Sequence, residues 1–160
     1  MNKLILTLIM FFTFEGNAQT YKLYQTKNIN NQLKLNTMTG EVYQVQNDGQ
    51  KFLVHEASTP SGETPKRYSL YDTQNMWTYI LLDEFSGKLW QCQYSVKGIN
   101  YISSWVINPN ALSFTEENKF SISPMTSMYQ FYLINDKTGE MWKFQWTTKN
   151  KDGYRWIEKM

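Results

Sequence analysis

Apolar and polar positions alternate along most of this chain, in short runs cut by turn residues. Between Tyr68 and Gln93 (YSLYDTQNMWTYILLDEFSGKLWQCQ) the alternation starts at Arg67, breaks at Gln74-Asn75 and resumes in a stretch rich in β-formers, Trp77 to Leu82. Asp83-Glu84-Phe85-Ser86-Gly87 then reads as a turn, and Lys88 to Ser95 as a return strand. A period of two sends successive side chains to opposite faces, so each run predicts a β-strand. The unit occurs twice more without a gap, at Tyr21 to Gln46 and at Phe120 to Gln145. Gly40, Gly87 and Gly139 superpose, as do Tyr43, Trp90 and Trp142, and Gln46, Gln93 and Gln145. Such periodicity means that one supersecondary unit was copied and that no copy buries its apolar face alone.

A fourth strand is predicted after each hairpin, at Lys51 to Glu56, Tyr101 to Asn108 and Tyr154 to Lys159. The links Ala57 to Lys66 (ASTPSGETPK) and Asn108 to Lys119 have loop composition. The chain therefore divides into repeats of about 21–66, 67–118 and 119–160 within a single all-β domain. Three four-stranded antiparallel units suggest a small three-bladed propeller-like arrangement, with a β-trefoil as the alternative. Alternation puts Leu33 and Leu35, Ile80 and Leu82, and Tyr132 and Ile134 on one side of the outgoing strand. Tyr43 and Val45, Trp90 and Cys92, and Trp142 and Phe144 share a side of the return strand, with Gln44/Gln46, Gln91/Gln93 and Lys143/Gln145 opposite.

The turn has a predicted mechanism. Asn36, Asp83 and Asn135 stand where a short polar side chain accepts a hydrogen bond from the turn backbone, and the glycine four residues on supplies a positive φ. The run Leu82-Asp83-x-x-Ser86-Gly87-x-x-Trp90 resembles the Leu-Asp-x-x-Thr-Gly-x-x-x-Trp turn of pyrroloquinoline-quinone-type propeller repeats. It has one residue fewer before the Trp, which puts that Trp on the other face. The resemblance covers the hairpin and implies a turn geometry, not a cofactor. The chain from residue 19 onward resembles a family of small secreted Bacteroidota proteins built from Tyr-x-Thr-x-Asn … Leu-Asp-x-x-Thr-Gly-x-x-Trp-x-x-Gln units.

Lys3, the apolar run Leu4 to Phe14 and the small-residue exit Gly16-Asn17-Ala18 read as a signal peptide over residues 1–18, cut before Gln19. The run is shorter than the ~20 residues a membrane span requires, so no membrane insertion is expected after its removal. The expected destination is the periplasm or the extracellular medium. Cys92 is the sole cysteine, so burial rather than a disulfide has to hold an exported fold together. A net charge of +2 gives no electrostatic case for nucleic acid. The aromatic fraction of 16% against 19% charged suits a dense β core or exposed stacking platforms.

No catalytic set emerges. His55 is the single histidine, and neither a nucleophile triad nor a zinc site is built from one. Asp83-Glu84 and Glu116-Glu117 are neighbours on loops, whereas glycosidase carboxyls face each other across a substrate. No metal or cofactor is expected. Candidate ligand-binding residues are Trp77 and Tyr129, as aromatic platforms, and the stripe Gln44, Gln46, Gln91, Gln93 and Gln145, whose amides both donate and accept. The same stripe also reads as a ladder that ties strands together. The expected function is a secreted or periplasmic module binding a glycan or a protein partner. The alternative is an inhibitor or immunity-type protein that blocks an envelope enzyme with the loops Ala57 to Lys66 and Asn108 to Lys119.

Overall fold

A computed structural model describes residues 20–59, 66–112, 119–149 and 155–160. The first repeat forms β1 (Tyr21–Gln25), β2 (Asn31–Asn36), β3 (Val42–Gln46) and β4 (Lys51–His55). The second forms β5 (Tyr68–Asp72), β6 (Thr78–Asp83), β7 (Lys88–Gln93) and β8 (Ser103–Val106). The third forms β9 (Phe120–Pro124), β10 (Gln130–Asn135), β11 (Met141–Gln145) and β12 (Trp156–Lys159). Each repeat keeps its four strands in one antiparallel meander, and strands are not shared between repeats. The expected all-β, three-repeat, propeller-like architecture is what the chain adopts. Among the described residues the only helical element is one 3-10 turn, Ile99–Tyr101, and no helix is long and apolar enough to cross a membrane. The proposed signal segment, residues 1–18, lies outside the described residues, as do most of the two long links.

The turn chemistry is as the sequence predicts. Asn36, Asp83 and Asn135 each accept from the backbone N–H two residues on, at 3.0, 3.1 and 3.0 Å. Gly40, Gly87 and Gly139 follow at φ of 79°, 68° and 74°. Arg67 adds a bidentate pair at the second turn, Nε to Asp83 Oδ1 at 3.0 Å and Nη2 to Oδ2 at 2.7 Å.

The three sheets stack face to face in chain order, with the second in the middle. One core lies between the first two sheets: Leu33, Leu35 and Val42 from the first meet Tyr68, Leu81, Trp90 and Cys92 from the second. The other joins Ile80, Leu82 and Leu89 of the second sheet to Phe120, Leu133, Trp142 and Phe144 of the third. Every residue of β6 is therefore buried, while β2 and β10 are buried on alternate residues only. The predicted faces hold, but position in the stack decides their burial. Tyr132 and Ile134 share the face of Leu33 and Ile80, yet are only half-buried because, among the described residues, no sheet packs over that face of the third. Tyr43 shares the face of Trp90 and Trp142 and is likewise half-buried, because among the described residues no sheet packs over that face of the first. Neither of the two cores spans the first and third sheets.

Candidate functional site

The glutamine stripe divides into two classes. Gln44 and Gln91 are fully buried. Gln44 Nε2 donates to the Ser95 carbonyl at 3.0 Å and to Asn31 Oδ1 at 2.6 Å, and its Oε1 accepts from the Ser95 N–H at 3.2 Å. Gln91 repeats the clamp on Thr147, donating at 2.8 Å and accepting at 3.2 Å, and its Oε1 also accepts from Arg155 Nε at 2.9 Å. These amides satisfy backbone groups of the following sheet, as buried polar atoms must be satisfied. As ligand contacts, Gln44 and Gln91 are set aside: both amides are consumed inside the protein. Gln145 lies on the outer face of the third sheet and accepts from Gln130 Nε2 at 3.0 Å.

Gln46 and Gln93, the distal members of the stripe, reach the loop end of the first two sheets. There two clefts share Val96 as a common lip. One, of about 200 Å³, is walled by Trp77, Tyr94 and Tyr101, with Gln93 and Lys97 beside them. Trp77 packs one side against Tyr94 at 5.3 Å between centroids, and Tyr101 is 56% exposed. The other, of about 550 Å³, is lined by Asn28, Asn30, Asn31, Gln46, Asn47 and Asp48.

The difference between the two clefts follows from two paired substitutions in the repeat. Trp77 on Tyr94 in the second repeat corresponds to Tyr129 on Trp146 in the third, at 5.0 Å. In the first repeat the same two positions are Asn30 and Asn47, joined by Asn47 Nδ2 donating to Asn30 Oδ1 at 3.3 Å. Replacing two rings by two amides leaves a wide polar cleft next to an aromatic one. Tyr129 lies on the third repeat, away from these lining residues, so the structure brings together Trp77, Gln46 and Gln93 and leaves Tyr129 apart. Sequence reading missed Tyr101 and the asparagines. The presence of Asn30 where its equivalents are aromatic was the signal available.

Among the described residues, Cys92, His55, Glu84 and Asp83 are each engaged structurally, and Glu116-Glu117 lies outside the described residues. Cys92 is buried, and burial pushes its thiol up, away from the reactive thiolate. His55 is held by Ser104 Oγ and Ser58 Oγ, and burial lowers its pKa to about 4. Glu84 is raised by burial and accepts from the Ser69 hydroxyl, and Asp83 is bound by Arg67 and its own turn. Among the described residues no three His, Cys, Asp or Glu side chains gather as a metal ion requires. Comparison of the chain with protein-family models, curated proteins and solved structures yields no match.

Proposed function

We propose that this is an exported binding module, acting in the periplasm or outside the cell, whose paired cleft holds a glycan. The observation that carries the reading is the junction of an aromatic wall, Trp77 and Tyr101, with an amide-lined basin, Asn28, Asn30, Gln46 and Asn47. Indole and phenol faces pack against the apolar face of a sugar ring, and amides, which donate and accept at once, match its hydroxyls. Only Lys97 and Asp48 bring charge to the lining, which favours a neutral polar ligand over a polyanion.

A glycan array, followed by calorimetry on any positive, tests this. Trp77→Ala is expected to abolish binding, while Tyr129→Ala, away from the cleft, leaves it within twofold. Equal loss from both variants, or binding indifferent to Trp77→Ala, would defeat the reading. A silent array with a co-purifying envelope enzyme would favour the inhibitor reading instead.

A further inference from the structure

The two junctions between sheets are built alike, and among the described residues the first and third sheets each carry one unmatched half of that junction. Three devices recur. First, a strand start donates to the preceding turn: Tyr68 N to Thr37 O at 3.0 Å, and Phe120 N to its equivalent Glu84 O at 2.8 Å. Second, an aromatic ring lies on the preceding turn glycine. A Cβ placed on Gly40 would stand 2.9 Å from the Tyr68 ring, and one on Gly87 3.1 Å from the Phe120 ring. Third, a glutamine clamps the next sheet, Gln44 on Ser95 and Gln91 on Thr147.

By the same register the third sheet carries the Asp136 carbonyl, Gly139 and Lys143 at these positions, with no described sheet to receive them. A Cβ on Gly139 would meet nothing within 4 Å. The first sheet begins the series with Tyr21, which is 48% exposed, and Asp48. Asp48 is built as its equivalents are: Asp48 Oδ1, Ser95 Oγ and Thr147 Oγ1 each accept, at 3.0 Å, from the N–H two residues on. Only at this missing junction are both clamp positions charged, and with opposite signs. Lysine replaces the clamping glutamine at 143, and aspartate replaces the hydroxyl residue at 48. Apolar side chains lie on both outer faces, beside Lys34 and Lys51 on the first sheet and Glu158 on the third. Leu23 at 56% and Leu53 at 40% exposure flank Tyr21 and Tyr43 on the first sheet, while Tyr132, Ile134, Met141 and Trp156 share the outer face of the third.

We propose that two copies of this chain associate head to tail, the third sheet of each against the first sheet of the other, closing a ring of six sheets. The two contacts are identical and related by a twofold axis, and closure is what separates a ring from a filament in head-to-tail assembly. Six lies within the usual range of propeller blade numbers. Lys143 of one copy pairs with Asp48 of its partner, and Tyr21 covers the partner's Gly139.

Sedimentation velocity and light scattering on the purified protein test this, with circular dichroism to establish that each variant is folded. The wild type is expected at twice the chain mass. Lys143→Glu and Asp48→Lys each create like-charge contacts at both junctions, and a shift to monomer is expected, with at least a tenfold weaker dimer. Mixing the two variants restores opposite charges at both junctions, so a mixed dimer is expected from two monomeric samples. Tyr21→Ala is expected to weaken the dimer as well. A monomeric wild type at 100 μM, a dimer unmoved by either charge reversal, an open-ended series of oligomers, or folded variants that stay monomeric on mixing would each overturn the proposal. None of these outcomes depends on what the cleft binds.

Discussion

Gln91 and Thr147 are joined through both ends of one amide, Nε2 to the Thr147 carbonyl at 2.8 Å and Oε1 from its N–H at 3.2 Å. The side chain thus acts as a short strand segment between two sheets, beside the Phe120 N–H to Glu84 carbonyl bond at 2.8 Å and the apolar packing of the core. Gln91→Met keeps the volume and removes both bonds, leaving two buried backbone groups of the third sheet unsatisfied. The expected cost is about 2–4 kcal/mol, at roughly 1–3 kcal/mol for each unsatisfied group. Gln93→Met, two residues on at the cleft, is expected to change stability by no more than about 0.5 kcal/mol. Urea denaturation midpoints distinguish them, and equal effects would show that the clamp carries no particular weight.

Gly40 is constrained twice, by its φ of 79° and by the Tyr68 ring above it. Gly49 has a φ of 85° but open space around it. Alanine at Gly49 is therefore expected to cost about 1 kcal/mol, the left-handed penalty alone. Alanine at Gly40 is expected to cost a further ~1–3 kcal/mol for the overlap. In a Tyr68→Leu background that excess should shrink. A double-mutant cycle with no coupling between the two positions would refute the ring-on-glycine contact.

Much of this fold is legible from spacing. The three glycines, the three short polar residues four positions earlier and the period-two faces all follow from local geometry, which the chain encodes residue by residue. Which faces are buried does not follow from local geometry. Leu33 and Tyr132 are equivalent in the repeat, but among the described residues only the former has a sheet stacked over it, and no local signal records a neighbour in the next repeat. The site was half legible for the same reason. Trp77 stood out as an aromatic apart from the superposed Tyr43, Trp90 and Trp142. Gln44 and Gln46 look alike in sequence, yet one is inside and the other faces the cleft, because Gln46 is the last residue of β3 and stands at its loop end. Tyr101 enters through the 3-10 turn, which no periodic pattern announces.

Asp83 is 2% exposed and takes both nitrogens of the Arg67 fork while also accepting from Ser86 Oγ at 2.7 Å. Its equivalents Asn36 and Asn135 show that an amide serves the turn equally well. Asp83→Asn is thus expected to keep the turn and lose only the charge pairing, at about 1–3 kcal/mol. Asp83→Ala loses both and should approach the ~3–5 kcal/mol of a broken buried pair. Thermal denaturation of the two variants checks the order, and a larger loss from asparagine than from alanine would contradict it.

His55 couples the first two sheets to pH. Its Nδ1 meets Ser104 Oγ at 2.7 Å, its Nε2 meets Ser58 Oγ at 2.8 Å, and its ring lies 5.2 Å from Trp90. Burial lowers the imidazole pKa to about 4 from an ordinary 6.5, so the folded state holds it neutral. Above pH 6.5 both folded and unfolded chains carry a neutral ring and its contribution is fully present. As pH falls from 6.5 towards 4, the unfolded chain takes up a proton that the folded chain refuses, and stability declines. The decline amounts to up to about 3 kcal/mol over that window, at 1.36 kcal/mol per unit of pKa. Glu84 acts in the opposite sense, because a raised carboxyl pKa favours proton uptake by the folded state. Comparing wild type with His55→Gln at each pH removes that background. The stability difference between the two is expected to move against the wild type steadily from pH 6.5 to pH 4 and to be flat above pH 7. A difference that does not vary across this range would mean that His55 is not the group responsible.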